Sequence, residues 1–363
     1  MIKSLWKITL APLALVIILV LAGCGGQATD SWPGLGIDGD TVYASLGPKV
    51  YALDGETGAQ QWVFPADESK NGQMFYAPVI ESSAGRIFAG TFQDKFYAFE
   101  KSGTEIWSFV TAGAIVGRAA TADDMVYMGA NDRKIYALSA ENGSQKWAFD
   151  TESWNWASPV YTDGALYVAS MDHHVYCLDA ANGAKKWDFK AGGAVADSPL
   201  LVEDKVFFGD YNRRVHALDA ATGEELWSFS TDHWVWGSPA YHDGLVYVGD
   251  LSGKLYALET STGQLKWDFK AESGIRAGIV AGDGLVYVVA QKGQGYALDV
   301  ESGAVKWQFA PDLAAEGEGF LSTPVLTGKW LYVVSDRGVV YAFSTDDGRV
   351  ERTTGIRVRS STN

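Results

Sequence analysis

Residues 177–189 read CLDAANGAKKWDF, and residues 217–229, forty positions later, read ALDAATGEELWSF. Each stretch begins with a small residue, continues with leucine and aspartate, and has a glycine in the middle and a tryptophan near the end. Two apolar runs joined by a glycine-containing turn are typical of a β-hairpin. The stretch therefore predicts two strands, and its recurrence predicts a repeated unit.

The same pattern recurs along the chain in eight copies. The copies align on the tyrosine of the VYAL motif, which is a histidine in one of them: Tyr51, Tyr97, Tyr136, Tyr176, His216, Tyr256, Tyr296 and Tyr341. A tryptophan follows the first seven anchors by ten or eleven residues: Trp62, Trp107, Trp147, Trp187, Trp227, Trp267 and Trp307. The eighth copy has Arg352 at that position. A period near forty residues indicates the blades of a propeller or a related array.

Residues 157–190 show what one copy contains. The segments SPVY, ALYVAS, VYCLDA and KKWDFK have the composition of strands, and TDG and NG mark the first and third turns between them. Four antiparallel strands repeated eight times predict an all-β fold, an eight-bladed β-propeller over residues 33–354. We expect the seven tryptophans to dock each blade against its neighbour, because a tryptophan side chain can bury ~150–250 Å².

The first residues have the features of an export signal. Lys3 and Lys7 precede an apolar run from Ile8 to Leu21 and then LAGC, which resembles the cleavage box of bacterial lipoproteins. The run is short for a bilayer span, which needs about 20 residues, so a cleaved signal is favoured over an anchor helix. The predicted segments are a lipoprotein signal peptide (1–23), a lipidated cysteine (Cys24), a tether (24–32) and a C-terminal tail (355–363). The predicted location is extracytoplasmic and membrane-anchored, in the outer membrane where the cell has one and otherwise on the outer face of the cell membrane.

The net charge and the cysteine content limit which partners and cross-links are expected. Loss of Lys3 and Lys7 with the signal peptide changes the formal charge from −15 to −17, which argues against a nucleic-acid partner. Cys177 has no second cysteine to pair with once Cys24 is lipidated, so no disulfide is expected. We expect a monomeric propeller that contacts the membrane through its N-terminal lipid and has a protein partner in the cell envelope.

The segments ALDGETGAQQW (52–62), ALDAATGEELW (217–227) and ALDVESGAVKW (297–307) resemble the tryptophan-docking motif of the pyrroloquinoline-quinone (PQQ)-like β-propeller repeat family. The resemblance covers essentially all of residues 33–354. The family includes quinoprotein alcohol dehydrogenases and a lipid-anchored factor of outer-membrane protein assembly. The resemblance thus implies an eight-bladed propeller, with either a scaffold role in outer-membrane assembly or a quinone-dependent dehydrogenase activity.

The residues themselves favour the scaffold over the enzyme. The paired cysteines and acidic calcium ligands of the family's dehydrogenases cannot be mapped onto this chain, so no cofactor and no metal are expected. Cys177 occupies a position where the other copies have alanine, which indicates a small core residue. His173 and His174 are neighbours that would face opposite sides of a strand, which makes a poor metal pair. His216 replaces a repeat tyrosine, so we expect it to pack rather than to react.

Binding residues are expected where the copies differ, in the connections that enter each blade. Connections into even-numbered blades carry aromatic residues, whereas those into odd-numbered blades carry small or charged ones. The candidate rim residues are Phe75, Tyr76, Arg118, Trp154, Trp156, Asp197, Trp234, Trp236 and Arg276. In a propeller they would surround one end of the central channel.

Two interpretations of this rim stay open. The aromatic side chains could plug the channel and hold the blades together. Alternatively, the rim could bind a peptide segment or a sugar, since Trp, Tyr and Arg are enriched at binding hot spots. The corresponding functions are a protein-interaction scaffold or a surface protein that binds carbohydrate or another small ligand. How the ring closes is also left open, because the eighth copy lacks the tryptophan. The C-terminal tail or residues 25–33 are candidates to cover the outer edge of blade 8.

Overall fold

The structure is a computed structural model that describes residues 34–65, 73–75, 80–81, 85–309 and 319–353. The predicted signal peptide, Cys24, the tether, Tyr76 and the C-terminal tail lie outside the described residues. Within these ranges the secondary structure is β throughout, in eight sheets of four antiparallel strands that follow one another in chain order. The predicted all-β, eight-bladed propeller is confirmed. The described ranges contain no helix, and hence none suited to crossing a membrane.

Blade 1 consists of β1 (Gly34–Asp38), β2 (Thr41–Leu46), β3 (Lys49–Asp54) and β4 (Gln60–Phe64); blade 2 of β5 (Ile80–Glu81), β6 (Ile87–Gly90), β7 (Lys95–Phe99) and β8 (Glu105–Val110). Blade 3 consists of β9 (Ala120–Ala122), β10 (Met125–Ala130), β11 (Lys134–Ser139) and β12 (Gln145–Asp150); blade 4 of β13 (Val160–Thr162), β14 (Ala165–Ala169), β15 (His174–Asp179) and β16 (Lys185–Lys190). Blade 5 consists of β17 (Leu200–Val202), β18 (Lys205–Gly209), β19 (Arg214–Asp219) and β20 (Glu225–Ser230); blade 6 of β21 (Ala240–His242), β22 (Leu245–Gly249), β23 (Lys254–Glu259) and β24 (Leu265–Lys270). Blade 7 consists of β25 (Val280–Gly282), β26 (Leu285–Val289), β27 (Gly295–Asp299) and β28 (Val305–Phe309); blade 8 of β29 (Val325–Thr327), β30 (Trp330–Val334), β31 (Val340–Ser344) and β32 (Val350–Thr353).

The position of a strand within its blade is reflected in its burial. The second strand β14 is buried along its whole length, whereas the fourth strand β16 alternates between exposed and partly buried residues. A strand covered by a neighbouring blade on each face is apolar throughout, and one at the perimeter has a solvent face. First strands of adjacent blades contact one another, as β21 contacts β25 and β1 contacts β5. The first strands therefore line the centre of the ring and the fourth strands form its edge.

A β-bulge recurs between the third and fourth strands of every blade. In blade 4 the register shifts between Cys177 and Leu178, so that Cys177 lies directly opposite Trp187. In the other blades the same shift follows an alanine, at Ala52, Ala98, Ala137, Ala217, Ala257, Ala297 and Ala342. Cross-strand neighbours on one face crowd each other, so a small residue is needed opposite the large indole. This explains the small residue at the start of the repeat motif.

The two turns expected from sequence differ in form. Asp163 and Gly164 both have positive φ and make the two-residue turn between β13 and β14. The turn after β15 is longer than a two-residue hairpin, since β16 begins at Lys185. The carboxylate of Asp179 accepts hydrogen bonds from the amides of Ala181 and Asn182, which holds that loop. The aspartate of the repeat therefore supports the turn.

The tryptophans of the repeat lie across the blade boundaries. The ring of Trp187 in blade 4 covers Gly223 in blade 5, where a Cβ would come within 2.6 Å of it, and Trp187 Nε1 donates to the carbonyl of Ala220 at 3.0 Å. The ring of Trp62 lies against Gly103 in the same manner. The other indoles that donate to the following blade belong to Trp107, Trp147, Trp227, Trp267 and Trp307.

The ring closes by packing between blade 8 and blade 1. Leu35 and Val42 of blade 1 share a buried cluster with Tyr332 and Val334 of blade 8. Tyr332 donates its hydroxyl to the carbonyl of Gly55 at 2.9 Å. Blades 2 to 7 each place a tryptophan donor, and in three of them also a second-strand tyrosine donor, on the corresponding carbonyl of the next blade. Blade 8 therefore retains a tyrosine contact where its tryptophan is replaced by Arg352. The sequence did not predict how the ring closes, because the tyrosine and its acceptor are far apart in the chain.

Candidate functional site

The connections that enter the blades and the loops between second and third strands lie on one face of the ring. Antiparallel order places these two kinds of loop at the same end of each blade. Backbone hydrogen bonds join them directly, from Met171 to the carbonyl of Trp154 and from Leu251 to the carbonyl of Trp234. We call this end the rim face. It carries the connections in which the sequence predicted binding residues.

Hydrogen bonds between neighbouring blades draw these connections together. The amide of Arg118 donates to Ser158 Oγ at 2.9 Å, and the amide of Ser158 donates to Ser198 Oγ at 3.1 Å. The amide of Ser238 donates in turn to Asp197 Oδ2 at 2.9 Å. At Gly117 a Cβ would lie 2.7 Å from the carbonyl oxygen of Ala157, so the backbones of these connections approach closely. The side chains that project from these hydrogen-bonded connections are consequently brought near each other at the channel end.

Five aromatic side chains form a continuous stack on the rim face, and together with Arg276 we call them the rim cluster: Trp154, Trp156, Tyr211, Trp234, Trp236 and Arg276. The ring of Trp156, from the connection into blade 4, stacks on that of Trp236, from the connection into blade 6, with centroids 6.0 Å apart. This contact spans blade 5. Trp154 stacks on Trp156 at 5.7 Å, and Tyr211 stacks on Trp234 at 5.2 Å.

The outer members of the stack face solvent. Trp154 is 51% exposed and Trp234 is 44% exposed, whereas Trp156 and Trp236 between them are partly buried. Large aromatic side chains that remain this exposed on a folded domain commonly mark a contact surface. The cluster therefore presents aromatic surface at the channel end that the ring itself does not cover.

Arg276 adds a positive charge to the aromatic stack. Its guanidinium carbon lies 4.0 Å from the centroid of the Trp236 ring, within the range of a cation–π interaction. A planar guanidinium that stacks on an aromatic ring keeps its N–H donors in its own plane, so the stacking itself does not use them.

Arg118 and Asp197 form a pair of opposite charges in the connections into blades 3 and 5. Burial raises the pKa of Asp197 above that of an ordinary carboxyl, against hydrogen bonds from Ser198 and Ser238 and the charge of Arg118, which lower it. Desolvation lowers the pKa of Arg118, and the charge of Asp197 opposes that effect. The Arg118 side chain is nevertheless exposed to water. Opposite charges from blades 3 and 5 therefore influence each other across the channel end.

Tyr211 was missed in the sequence analysis. It lies in the loop after β18, where the corresponding residues of blades 4 and 6 are Met171 and Leu251. Its hydroxyl is buried and has no hydrogen-bond partner among the described residues. Burial raises the pKa of Tyr211, while Arg276 lowers it and Asp197 raises it. The signal available in the sequence was an aromatic residue in a variable loop within a blade, whereas the predicted binding residues all came from connections between blades.

The remaining candidate rim residues do not join the cluster. Phe75, predicted at the rim, is instead 1% exposed and packs between blades 1 and 2 against Phe64 and Tyr97. Phe75 bridges Thr91 as Val235 bridges Asp250, so it corresponds to the buried residue between Trp234 and Trp236. Phe320, the aromatic residue in the connection into blade 8, is equally buried. Among the described residues, the aromatic side chains of the rim cluster therefore come from the connections into blades 4 and 6 and from Tyr211. The connections into blades 2 and 8 bury their phenylalanines instead.

The cysteine and histidines that were weighed as catalytic or metal-binding candidates lie in packing and turn positions. Cys177 is buried in the cluster between blades 4 and 5. His173 is a turn residue with φ of 75°, and His174 contacts Asp188 at 3.0 Å. His216 is buried, stacks on Phe208 and contacts Glu225 at 2.7 Å. Within the described part of the chain, no three His, Cys, Asp or Glu side chains are grouped to hold a metal ion.

Comparison with known structures places this architecture among propellers. BamB from Moraxella catarrhalis superposes with a TM-score of 0.72 at 19% identity, over 84% of this chain and 92% of that one. The computationally designed protein Ika8 superposes with a TM-score of 0.75 at 15% identity, over 87% of this chain and 96% of that one. At these identities the likeness concerns the fold.

Comparison by sequence gives a family. No curated protein matches the chain. A family profile described as outer membrane protein assembly factor BamB, of the PQQ-like repeat type, matches residues 49–157, 151–233 and 211–317. These segments together span most of the chain and seven of the eight repeat anchors. The chain belongs to this BamB-like family of PQQ-repeat β-propellers.

Proposed function

We propose that the protein is a non-catalytic interaction scaffold of the cell envelope, anchored by lipid at Cys24, whose rim cluster binds a partner protein. The observation that carries the proposal is the aromatic stack from Trp154 to Trp234 with Arg276 on Trp236. Tryptophan, tyrosine and arginine are the residues most enriched at protein-binding hot spots. Trp, Tyr and Arg are concentrated here in one small area of the ring.

The chemistry of the rim favours a protein segment as its ligand. Exposed aromatic rings can cover apolar side chains, and Arg276 can donate hydrogen bonds to backbone carbonyls or a carboxylate. The partner we propose is therefore a polypeptide segment with apolar side chains, bound across the channel end.

The cellular role that best fits this scaffold is the assembly of outer-membrane proteins. The family profile carries that description, and the LAGC sequence before the predicted lipidation site fits a membrane-anchored protein. Stable anchoring by lipid requires more than one acyl chain or a second membrane contact. In this proposal the lipid holds the propeller at the membrane and the rim recruits the partner.

Carbohydrate binding is the second candidate function. Trp154 and Trp234 each expose about half of the side chain, and a flat exposed ring can cover the apolar face of a sugar. A sugar ligand would use the same two rings but would leave no protein attached to them. The two candidates are therefore separable at these positions.

Photo-crosslinking in the native envelope tests the proposal. A photoreactive phenylalanine analogue is placed at Trp154 or Trp234, and in control variants at Leu226 or Leu265, which are comparably exposed on fourth strands. We expect protein adducts from the two rim positions and none from the controls. Equal adducts at all four positions would contradict a specific rim partner, and a glycan adduct without protein would favour the second candidate.

The lipid anchor has its own test. Replacement of Cys24 by alanine should move the protein from the membrane fraction to the soluble fraction of the envelope, because the acylated residue is lost. Intact mass of the wild-type protein should show the acyl groups on a chain that begins at Cys24. A mass that includes residues 1–23 would overturn the proposed processing.

A further inference from the structure

The connection into blade 3 departs from a hydrogen bond that is repeated around the channel end. In this bond the amide of one connection donates to a side-chain hydroxyl of the next. Ser158 Oγ and Ser198 Oγ accept at 2.9 and 3.1 Å, and Thr323 Oγ1 accepts from Gly278 at 3.0 Å. Blade 3 has Arg118 at this position, and Arg118 contributes its amide but has no hydroxyl. The repeated bond therefore accounts for the backbone of Arg118 and does not account for its side chain.

Asp197, the charged neighbour of Arg118 at the channel end, is explained by the same bonds. The amide of Ser238 would donate to residue 278, which is a glycine and has no hydroxyl. Asp197 Oδ2 accepts that amide instead, at 2.9 Å. Asp197 Oδ1 accepts the amide and the hydroxyl of Ser198 at 2.7 and 3.2 Å. The carboxylate thus replaces a missing hydroxyl, and both of its oxygens accept hydrogen bonds from these connections.

The guanidinium of Arg118 has no comparable contact. No described residue accepts a hydrogen bond from it or lies within ion-pair distance of it. The Arg118 side chain is exposed to water, yet desolvation by the surrounding protein lowers its pKa, and the charge of Asp197 opposes that effect. A side chain that is close to many protein atoms and still reaches water lies in a recess, which is the usual shape of a binding site. Five N–H donors are therefore available in the recess at the channel end.

Aromatic surface lies next to the connection that carries this guanidinium. The Arg118 amide is bonded to Ser158, which is two positions after Trp156 in the connection into blade 4. Trp156 stacks on Trp154, whose side chain is 51% exposed. A planar guanidinium can bind a carboxylate through two parallel hydrogen bonds, and an exposed indole can cover apolar groups. The two surfaces together suit a ligand that carries a carboxylate beside apolar side chains.

We infer that Arg118 anchors the polypeptide segment at the rim by binding one of its carboxylates. The inference rests on the proposed function and adds to it the chemistry of the partner, an acidic group flanked by apolar residues. An acidic side chain and a chain-terminal carboxylate both supply this group. Hydrogen bonds between ionised groups are roughly twice as strong as those between neutral groups, so a segment without the carboxylate binds more weakly.

Titration of the full-length protein with three peptides, followed by ligand-observed NMR, tests the inference. Acetyl-Leu-Glu-Leu-amide has a side-chain carboxylate, acetyl-Leu-Gln-Leu has a chain-terminal one, and acetyl-Leu-Gln-Leu-amide has none. At least one acidic peptide should bind fivefold or more tightly than the neutral peptide, and the tighter of the two identifies the source of the carboxylate. Arg118→Gln should remove this preference. Arg118→Lys should restore only part of it, because an ammonium group lacks the bidentate geometry.

Lys190→Gln is the matched control, because Lys190 is an exposed cation at the end of β16, on the perimeter of the rim face. It should keep the preference for the acidic peptide. Arg118 and Lys190 are both exposed, where substitution seldom disturbs folding, and thermal unfolding checks each variant. Equal affinity for the three peptides, absence of binding, or the same loss in Lys190→Gln would overturn the inference.

These outcomes are separable from those of photo-crosslinking. Protein adducts at Trp154 and Trp234 without a preference for acidic peptides would leave the partner site in place and remove Arg118 as its anchor. A preference for acidic peptides without protein adducts would retain the carboxylate site and remove the proposed envelope partner.

Discussion

Tryptophans occur in two settings in this ring, at the blade boundaries and at the rim, and the two groups differ in what holds them. Trp187 lies on a glycine of the next blade, donates to a backbone carbonyl there, and has equivalents in most other blades. Trp234 is 44% exposed and stacks on Tyr211, a residue with no aromatic equivalent in blades 4 and 6. A residue that the repeat requires is found in copy after copy. Trp234 breaks the repeat, and our proposal assigns it to binding rather than to the fold.

The comparison predicts a large stability effect at the boundary. Trp187→Ala should cost about 3–5 kcal/mol, the range for removal of a large aromatic side chain from a packed site. Leu226→Ala is the control. Leu226 lies on the fourth strand of blade 5, directly before Trp227, the counterpart of Trp187, and its side chain is 49% exposed. Urea unfolding followed by circular dichroism measures both. A loss below about 1 kcal/mol for Trp187→Ala would remove the docking role.

The glycine beneath the indole offers a test of the contact itself. Gly223→Ala should cost roughly 2–4 kcal/mol, because alanine at a φ of 75° is strained and its Cβ would meet the Trp187 ring. Gly164→Ala isolates the strain, since Gly164 has a φ of 74° and nothing within 4 Å of the added Cβ. It should cost about 1–2 kcal/mol. Equal losses in the two variants would mean that the indole contact contributes nothing.

The tyrosine contacts between blades predict a smaller effect on stability, which includes the contact that closes the ring. Tyr332→Phe removes the bond to Gly55 and should cost about 0.5–1.5 kcal/mol, the usual net value of one hydrogen bond. Tyr287→Phe should be neutral or slightly stabilising, because the Tyr287 hydroxyl is buried without a partner among the described residues. Thermal unfolding of the two variants under identical conditions compares them. A larger loss for Tyr287→Phe would show that its hydroxyl is satisfied in the folded state.

The rim also contains the Asp197 carboxyl group, whose raised pKa predicts a small dependence of the free energy of unfolding on pH. The raised pKa of Asp197 means that the folded state binds its proton more tightly than the unfolded state, where an aspartate titrates near ~3.9. Asp197 therefore disfavours folding progressively as the pH rises from about 4 through its folded-state pKa. Asp197→Asn should become more stable relative to the wild type over that interval, as measured by urea unfolding at several pH values. A relative stability independent of pH would contradict the shift.

The fold could be predicted from sequence because each copy repeats the same local information. The small residue opposite Trp187, the Asp163–Gly164 turn and the forty-residue period agree in blade after blade. The contacts that close the ring could not be predicted in this way. Tyr332 and Gly55 lie 277 positions apart, and no local pattern links a tyrosine in a second strand to that carbonyl.

The rim could be predicted in part. Trp154, Trp156, Trp234 and Trp236 were recognisable because they interrupt the repeat in connections of constant length. The burial of Phe75 could not be predicted, because its connection is four residues longer and counting from Trp62 does not show that it corresponds to the buried Val235. Tyr211 comes from a different loop, and its stacking on Trp234 depends on how blades 5 and 6 lie side by side.

The free energy of unfolding of Trp234→Ala, measured beside Trp187→Ala, tests the division between boundary and rim most directly. If the rim tryptophans serve binding, Trp234→Ala should lose about 1 kcal/mol, the value of one ring stack, while Trp187→Ala loses about 3–5 kcal/mol. A loss of about 3 kcal/mol or more for Trp234→Ala would show that the rim holds the ring together. In that case the rim aromatics would be a structural plug of the channel rather than a binding surface.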